Sequence, residues 1–491
     1  MKEEKDMKAK KVLTALCGAS LATVMTFGAL ATGCAGNIGE GDENINVSQD
    51  QITQIQQKYD EAGAVYEYTG SPVTITMSHW DSDGASIERA VLEVLLEAFN
   101  KRYPSITVDL EIISDYETTY STRFATNDVH DVFLVSDGVF TNWVKGSTQT
   151  MVNLSPYIAA SDLVDMDDMF DSVVTRYQYD PATGLTGQGN QMTMPRDISS
   201  HVMYYNKDLF EQFGVELPPS DRVMTIEEAV DMWEALTQDL DGDGTPDIYG
   251  VAGLSTEGLV WSAGGDFLND SRTAFPTEQS DLTALNKAYK FIQDAYYTYA
   301  DGKGITPPGT VTQTGDATAL FAQEMVATVI AGSWELATIQ GNSFDWDIAY
   351  VPAFEENPGA NAWSGSVSYA IYSGIDPAKL DAAWKLVEYI GCPEGQEILA
   401  ATGFQFPIYQ SVAFDEDYLA VYENSKPSNY EIFLKSASTQ PAGTWMYLTS
   451  DQWKELGYDG LSAHLLDTNA NDRWTVERFL DECKTTIDQL V

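Results

Sequence analysis

Residues 73–78 alternate Val73, Ile75 and Met77 with Thr74, Thr76 and Ser78, the two-residue period of a strand with one buried face. Ile87, Val91, Leu95, Ala98 and Phe99 then recur at helical spacing, and Pro104 stops that run. Ile106, Val108, Leu110 and Ile112 alternate with Thr107, Asp109 and Glu111, predicting a second strand. Residues 132–135 are an unbroken apolar run, as in a strand buried on both faces. The order β-α-β-α-β implies a parallel sheet with helices on its faces. A second region follows Pro195. Residues 202–205 read as a strand, and Thr225-Ile226-Glu227-Glu228 is a capping box. It opens a helix with Ile226, Ala229, Val230, Trp233 and Leu236 on one face. Tyr289, Ile292, Ala295 and Tyr296 repeat the helical spacing; residues 327–331 and 367–372 read as strands, and 377–390 as a helix.

The start of the chain follows another pattern. Lys8, Lys10 and Lys11 precede an apolar stretch, 12–30, that ends in Ala31-Thr32-Gly33-Cys34. Basic, apolar and small-residue regions in that order predict an export leader over 1–33, with Met7 as an alternative start. The cysteine resembles the lipobox of bacterial lipoproteins, which implies a lipid on Cys34. Ala31 stands where that box usually has Leu, and Leu30 lies one place early. A membrane span is the competing reading, because 12–30 is long enough. Thr14, Gly18, Ser20, Thr23, Thr26 and Gly28 dilute it and favour the leader. Residues 34–70 are rich in small and polar groups and read as a flexible tether, with room for a short helix near 52–59.

Charge narrows the function classes. The net charge is −47, and losing 1–33 removes five lysines and three acidic residues, which takes it to −49. Such a surface repels nucleic-acid phosphates and anionic lipid. The length exceeds what one core normally supports, so two lobes of a monomer are expected. After Cys17 and Cys34, only Cys392 and Cys483 remain, either paired or as two buried thiols. His79, His130, His201 and His464 lack metal spacing. One loop does carry a metal pattern: Asp239, Asp241, Asp243 and Asp247 fall at positions 1, 3, 5 and 9 of an EF-hand-like register. Gly244 is at 6 and Thr245 at 7, but Gly250 replaces the closing Glu. A structural calcium ion is expected there, against the plainer reading of an acidic turn. No GxSxG, P-loop, HExxH or dinucleotide fingerprint is present. With so many carboxylates a glycosidase pair has no distinguishing signal, so a binder is favoured over an enzyme and no cofactor is expected.

Several stretches, taken in order, carry a resemblance. They are Phe99-Asn-Lys-Arg-Tyr103-Pro104, Asp131-Val-Phe-Leu with Val152-Asn-Leu-Ser-Pro-Tyr157, and Met194-Pro195 with Met203-Tyr204-Tyr205-Asn206-Lys207-Asp208-Leu209-Phe210. Thr225-Ile-Glu-Glu, Phe321 to Ala327 with Gly332-Ser333-Trp334, and Ala382-Ala-Trp384 with Glu394-Gly-Gln396 continue the series. Collinear over about 73–411, they resemble the extracellular sugar-binding proteins of ATP-binding cassette importers, the maltose-binding-protein-like family. Residues 412–491 match only loosely.

The resemblance implies a two-lobed α/β periplasmic-binding-protein-like fold, with lobes of 71–195 plus 363–411 and 196–362 plus 412–491. It implies a carbohydrate ligand held between the lobes, hinge closure and delivery to a membrane permease. Sugars need aromatic faces and a few placed polar groups. His79-Trp80-Asp81 and Ser136-Asp137 follow strands at their carboxyl ends, where open α/β sheets bind ligands. Trp334 matches the family tryptophan that stacks on sugar. Arg196 and Asp197 lie at one lobe crossing, Trp363 and Ser366 at another. Trp261 falls in a Gly-rich stretch and Trp445 in the late C-terminal segment. For Trp261, Trp363 and Trp445, cleft and core both stay open, and Asp137 with Arg196 also suits a lobe-bridging ion pair. Trp233 and Trp384 fall on apolar helix faces and are expected in the core. The expected function is a lipid-anchored receptor for a carbohydrate, an oligosaccharide first, on the outside of a cell lacking an outer membrane. Amino-sugars, polyols and peptides are further solute classes. The alternatives are a secreted polysaccharide-active enzyme and a calcium-dependent adhesin or sensor.

Overall fold

The computed structural model describes residues 47–80, 86–146, 150–308, 314–403, 405–420, 422, 425–448 and 450–490. Cys34 and the leader lie outside them. The chain forms two units: residues up to Ile198 with Ser366–Val421, and Ser199–Gly365 with Tyr422–Val491. The strands are β1 Val73–Trp80, β2 Ile106–Ile113, β3 Val132–Ser136, β4 Gln178–Asp180, β5 Leu185–Thr186 and β6 Asn190–Gln191. They continue with β7 Met194–Pro195, β8 His201–Asn206, β9 Tyr249–Ala252, β10 Val326–Gly332, β11 Trp346–Ala349 and β12 Val367–Ile371.

Unit 1 is built on the sheet β2-β1-β3-β12-β7. β1 pairs parallel with β2 and β3, as the β-α-β-α-β pattern requires, and β12 closes antiparallel on β3. β3 is buried along its whole length, which explains why its sequence shows no polar alternation. Unit 2 holds the sheet β11-β8-β10-β9. β9 and β10 are parallel, and β8 runs against β10 with Gly332 opposite His201. The capping box at Thr225 forms as read: Thr225 Oγ1 accepts from the Glu228 amide, and the Glu228 carboxylate accepts from the Thr225 amide. Trp233, on the buried face of that helix, bonds Thr328 through Nε1 at 3.0 Å. Among the described residues, no helix is long and apolar enough to cross a membrane.

The structure departs from the sequence reading in two places. The first is the tether. Within 34–70, Gln49–Glu61 is a capped helix that buries Ile52, Ile55, Gln56 and Tyr59 on unit 1. Four positions out of thirteen suffice for an apolar stripe, although the helix is strongly polar on average. The second is where the chain changes unit: at 198/199, 365/366 and 421/422, rather than at 195/196, 362/363 and 411/412. The Arg196 amide still bonds the Val367 carbonyl at 2.9 Å, so the β7–β12 ladder holds Arg196 in unit 1. Ser199 bonds the Gly365 carbonyl at 2.8 Å and starts unit 2, which also takes Trp363.

Both cysteines are free and buried. Cys392, in unit 1, caps the helix Pro393–Ala401 by accepting the Gly395 amide on Sγ. Cys483 sits in the unit 2 core.

Candidate functional site

In unit 2, the carboxyl end of β10 lies beside the start of β8. β10 runs into the short turn Ser333–Glu335, which lifts Trp334 out so that it is 46% exposed. Its ring stacks on Trp363, with centroids 5.4 Å apart and planes at 27°. His201 stands edge-on to both, 5.1 Å from Trp334 and 4.2 Å from Trp363. Two glycines make the floor: a Cβ at Gly332 would lie 2.2 Å from the Trp334 ring, and one at Gly365 would lie 3.3 Å from Trp363 and 2.6 Å from Ser199 Oγ.

The histidine is held from two sides. Its Nδ1 is 2.8 Å from the Trp363 carbonyl. A carbonyl only accepts, so Nδ1 carries the proton and Nε2 is left with a lone pair. Burial pulls the imidazole pKa down to about 4, so the ring is neutral at pH 7. The backbone of His201 exchanges two bonds with the Gln440 side chain, at 2.9 and 2.8 Å, and Gln440 Nε2 also reaches Asn361 at 3.0 Å. Close by in the sequence of β9, Glu257 opens the helix Thr256–Ser262. Its carboxyl is buried, has Thr444 Oγ1 at 3.5 Å, and is pushed up to about 7 by burial. That helix start lies against the segment leading to Trp363, since a Cβ at Gly258 would be 2.0 Å from the Asn361 carbonyl oxygen.

Unit 1 brings together Asp137, Ser366 and Arg176. Asp137 Oδ2 accepts from Arg176 Nη1 at 2.7 Å and from the Ser366 amide at 3.1 Å. Ser366 Oγ donates to the Asp197 carbonyl at 2.6 Å, and Tyr177 Oη donates to the Ser366 carbonyl at 2.8 Å. Asp137 is thus paired with Arg176, in its own unit, and not with Arg196. Burial outweighs that pairing and leaves the Asp137 carboxyl raised. Arg196 is buried and turns to His79, with Nη1 at 3.4 Å from Nε2. A guanidinium only donates, so His79 Nε2 accepts and Nδ1–H points to Tyr369 Oη at 2.8 Å. Asp137, Ser366 and Arg196, all expected at the ligand, are thus each hydrogen-bonded within unit 1. Trp80 ends β1 half-buried, and Asp81 lies outside the described residues.

Residues 84–397 match the family model described as bacterial extracellular solute-binding protein. The chain belongs to that family. Among curated relatives, the sn-glycerol-3-phosphate-binding periplasmic protein UgpB of Brucella abortus is 20% identical over 266 residues, 52% of this chain and 57% of the relative. The erythritol/L-threitol-binding protein of Mycolicibacterium smegmatis is 24% identical over 260 residues, 49% of this chain and 52% of the relative. The chain spans about half the length of the curated relatives it matches. The ABC substrate-binding protein Lmo0181 of Listeria monocytogenes, solved with cycloalternan, is similar in fold with a TM-score of 0.64 at 20% identity, covering 85% of this chain and 98% of that one. UgpB of Mycobacterium tuberculosis, solved with glycerophosphocholine, gives 0.64 at 18% identity, with coverage of 86% and 100%. The fold is that of the maltose-binding-protein-like solute-binding proteins.

Of the residues expected to meet a ligand, the structure stacks Trp334 and Trp363 together. The sequence reading did not single out His201, Glu257 or Gln440 as site residues. His201 had a signal, since it stands directly before the strand 202–205. Trp261, for which cleft and core were both open, lies on the helix Thr256–Ser262, 8% exposed, with Nε1 3.4 Å from Asp266 and its ring edge-on to Phe267. The glycines that suggested a loop begin only after that helix ends. Trp445 is in the turn Thr444–Met446, and its side chain lies outside the described set. In the acidic loop, Asp239, Asp241 and Asp247 converge within 4.8 Å. Asp243 stands outside that group and accepts the Thr245 amide at 2.8 Å. Asp239 already accepts from Gly242, Gly244 and Lys303 Nζ, and Asp247 from Leu240. Of the four expected carboxylate ligands, three converge, and calcium takes six to eight oxygens.

Proposed function

We propose that this protein is the capture subunit of an ATP-binding cassette importer for a neutral carbohydrate, an oligosaccharide before a polyol. Cys34 holds it by a lipid to the outer face of the membrane. The ligand's apolar face rests on Trp334, and closure of the two units about their crossing segments commits it to the permease. The stacked pair Trp334–Trp363 carries this reading. It offers a half-exposed aromatic face backed by a second ring, as sugar C–H faces require.

His201 supports a neutral ligand. A phosphate calls for a charged donor, whereas the imidazole here is uncharged at pH 7 and offers Nε2 as an acceptor for a hydroxyl. The test is calorimetry and Trp fluorescence over maltotriose, cycloalternan, erythritol, sn-glycerol 3-phosphate and glycerophosphocholine. Micromolar binding of a neutral sugar, recovered intact, is expected. Turnover of the sugar, or binding of the phosphate esters alone, would overturn it.

A further inference from the structure

A buried polar network lies where the helix Gln49–Glu61 meets the helices Ser86–Arg102 and Pro393–Ala401. Its centre is Arg102. Nε and Nη2 bind the two oxygens of the fully buried Glu394 at 2.9 and 2.7 Å. Nη2 also donates to the Gln56 carbonyl and Nη1 to Asp60, both at 2.7 Å. The guanidinium lies 4.3 Å from the centroid of the Tyr66 ring. Glu394 further accepts from Tyr389 at 2.8 Å and Gln56 Nε2 at 3.2 Å. At the rim, Lys58 and Tyr59 both reach Glu397 Oε2, at 2.8 and 3.0 Å.

Apart from the Arg102–Glu394 pair itself and the bond from Tyr389, every arm of this network ends on residues 56–66. A bidentate, desolvated arginine–carboxylate pair is geometrically demanding. Here it grips both a backbone carbonyl and a side chain of the incoming segment. A flexible tether would need none of this.

We propose that residues 48–66 are a rigid mount, so that the anchored end is attached to unit 1 and the leash stops at Ser48. This rests on the lipid-anchor reading. From Cys34 to Ser48 a fully extended chain reaches no more than about 50 Å, against about 125 Å for a tether running to residue 70.

Full-length protein in vesicles tests it, with a donor dye at Glu97→Cys, an exposed site on the helix Ser86–Arg102, and acceptor lipids. A Gly-Ser insertion of about twelve residues before Ser48, worth about 40 Å extended, lowers energy transfer. The same insertion after Gly63 leaves transfer unchanged, because the mount holds and the insert loops out. Arg102→Met, or Arg102→Lys if that variant fails to fold, makes the Gly63 insertion behave like the first. Equal loss of transfer from both insertions in the parent protein overturns the mount. Membrane retention of Cys34→Ala, measured separately, would remove the anchor and leave the question of the mount to trypsin. Trypsin then cuts after Lys58 slowly in the parent protein, and faster by a factor on the order of ten or more in Arg102→Met; equal rates overturn it.

Discussion

The Trp334 indole lies flat against Gly332, so close that a Cβ there would stand 2.2 Å from the ring. The position of the exposed aromatic face is thus set by the absence of a side chain two residues earlier. Trp334→Ala and Gly332→Ala should therefore fail in the same way, by losing ligand and not by unfolding.

The expected size for either variant is about a tenfold or greater loss of affinity by calorimetry, the worth of one aromatic face. The melting temperature should move little for Trp334→Ala. Trp261→Ala is the contrasting case. It empties a buried site and should cost roughly 3–5 kcal/mol in denaturant unfolding. Its folded fraction should still bind. Normal affinity in Gly332→Ala would show that Trp334 does not touch the ligand.

His201 and Glu257 predict opposed pH effects. The folded His201 pKa is about 4, below the ordinary value of 6.5. Its contribution is present above pH 6.5 and is lost as pH falls toward 4, roughly 3 kcal/mol in full. The folded Glu257 pKa is about 7, above the ordinary 4.5. Its contribution is present below pH 4.5 and is lost as pH rises through 7, by a similar amount of roughly 3 kcal/mol. The two slopes offset across pH 4.5–6.5. Urea unfolding should show His201→Asn losing stability with rising pH, and Glu257→Gln gaining it. Parallel slopes in the two variants would refute the assignment.

The Asp137–Arg176 pair should be asymmetric on removal. Arg176→Met leaves a carboxylate buried and unpaired, at a cost of roughly 3–5 kcal/mol. Asp137→Asn keeps an acceptor for the Ser366 amide and should cost less. Chemical denaturation of both variants decides it. If Arg176→Met is the milder change, the pair does not organise the edge of unit 1.

Cys34→Ala should release the protein into the medium with its ligand affinity unchanged, checked by immunoblotting of cell and medium fractions alongside calorimetry. Retention on the cell would remove the lipid from the proposed mechanism.

Sequence periodicity carried much of the fold because the sheets here bury alternate or continuous faces, and β1, β2 and β3 report that directly. The capping box at Thr225 was equally plain, being a local four-residue device. The site was less legible. Trp334 could be read beside its neighbours Gly332 and Ser333, whereas the sequence did not show that Asp137, Arg196 and Ser366 hydrogen-bond within unit 1. What distinguishes them is partner geometry, which comes from residues as distant as Arg176 and His79. Glu257 and Gln440 were invisible for the same reason: burial gives each its character, and burial depends on the whole of unit 2. The helix at Gln49–Glu61 was obscured by its polar composition, with only Ile52, Ile55, Gln56 and Tyr59 turned inward.

The grip of Arg102 on that helix has a consequence for transport kinetics. For a receptor held at Cys34, the volume it explores scales with the cube of its reach. Under the proposed anchor and mount, a reach that ends at Ser48 instead of residue 70 shrinks that volume by roughly an order of magnitude and raises the receptor's local concentration at the permease in proportion. Each loaded molecule then meets its transporter sooner, and fewer copies on the surface sustain the same flux.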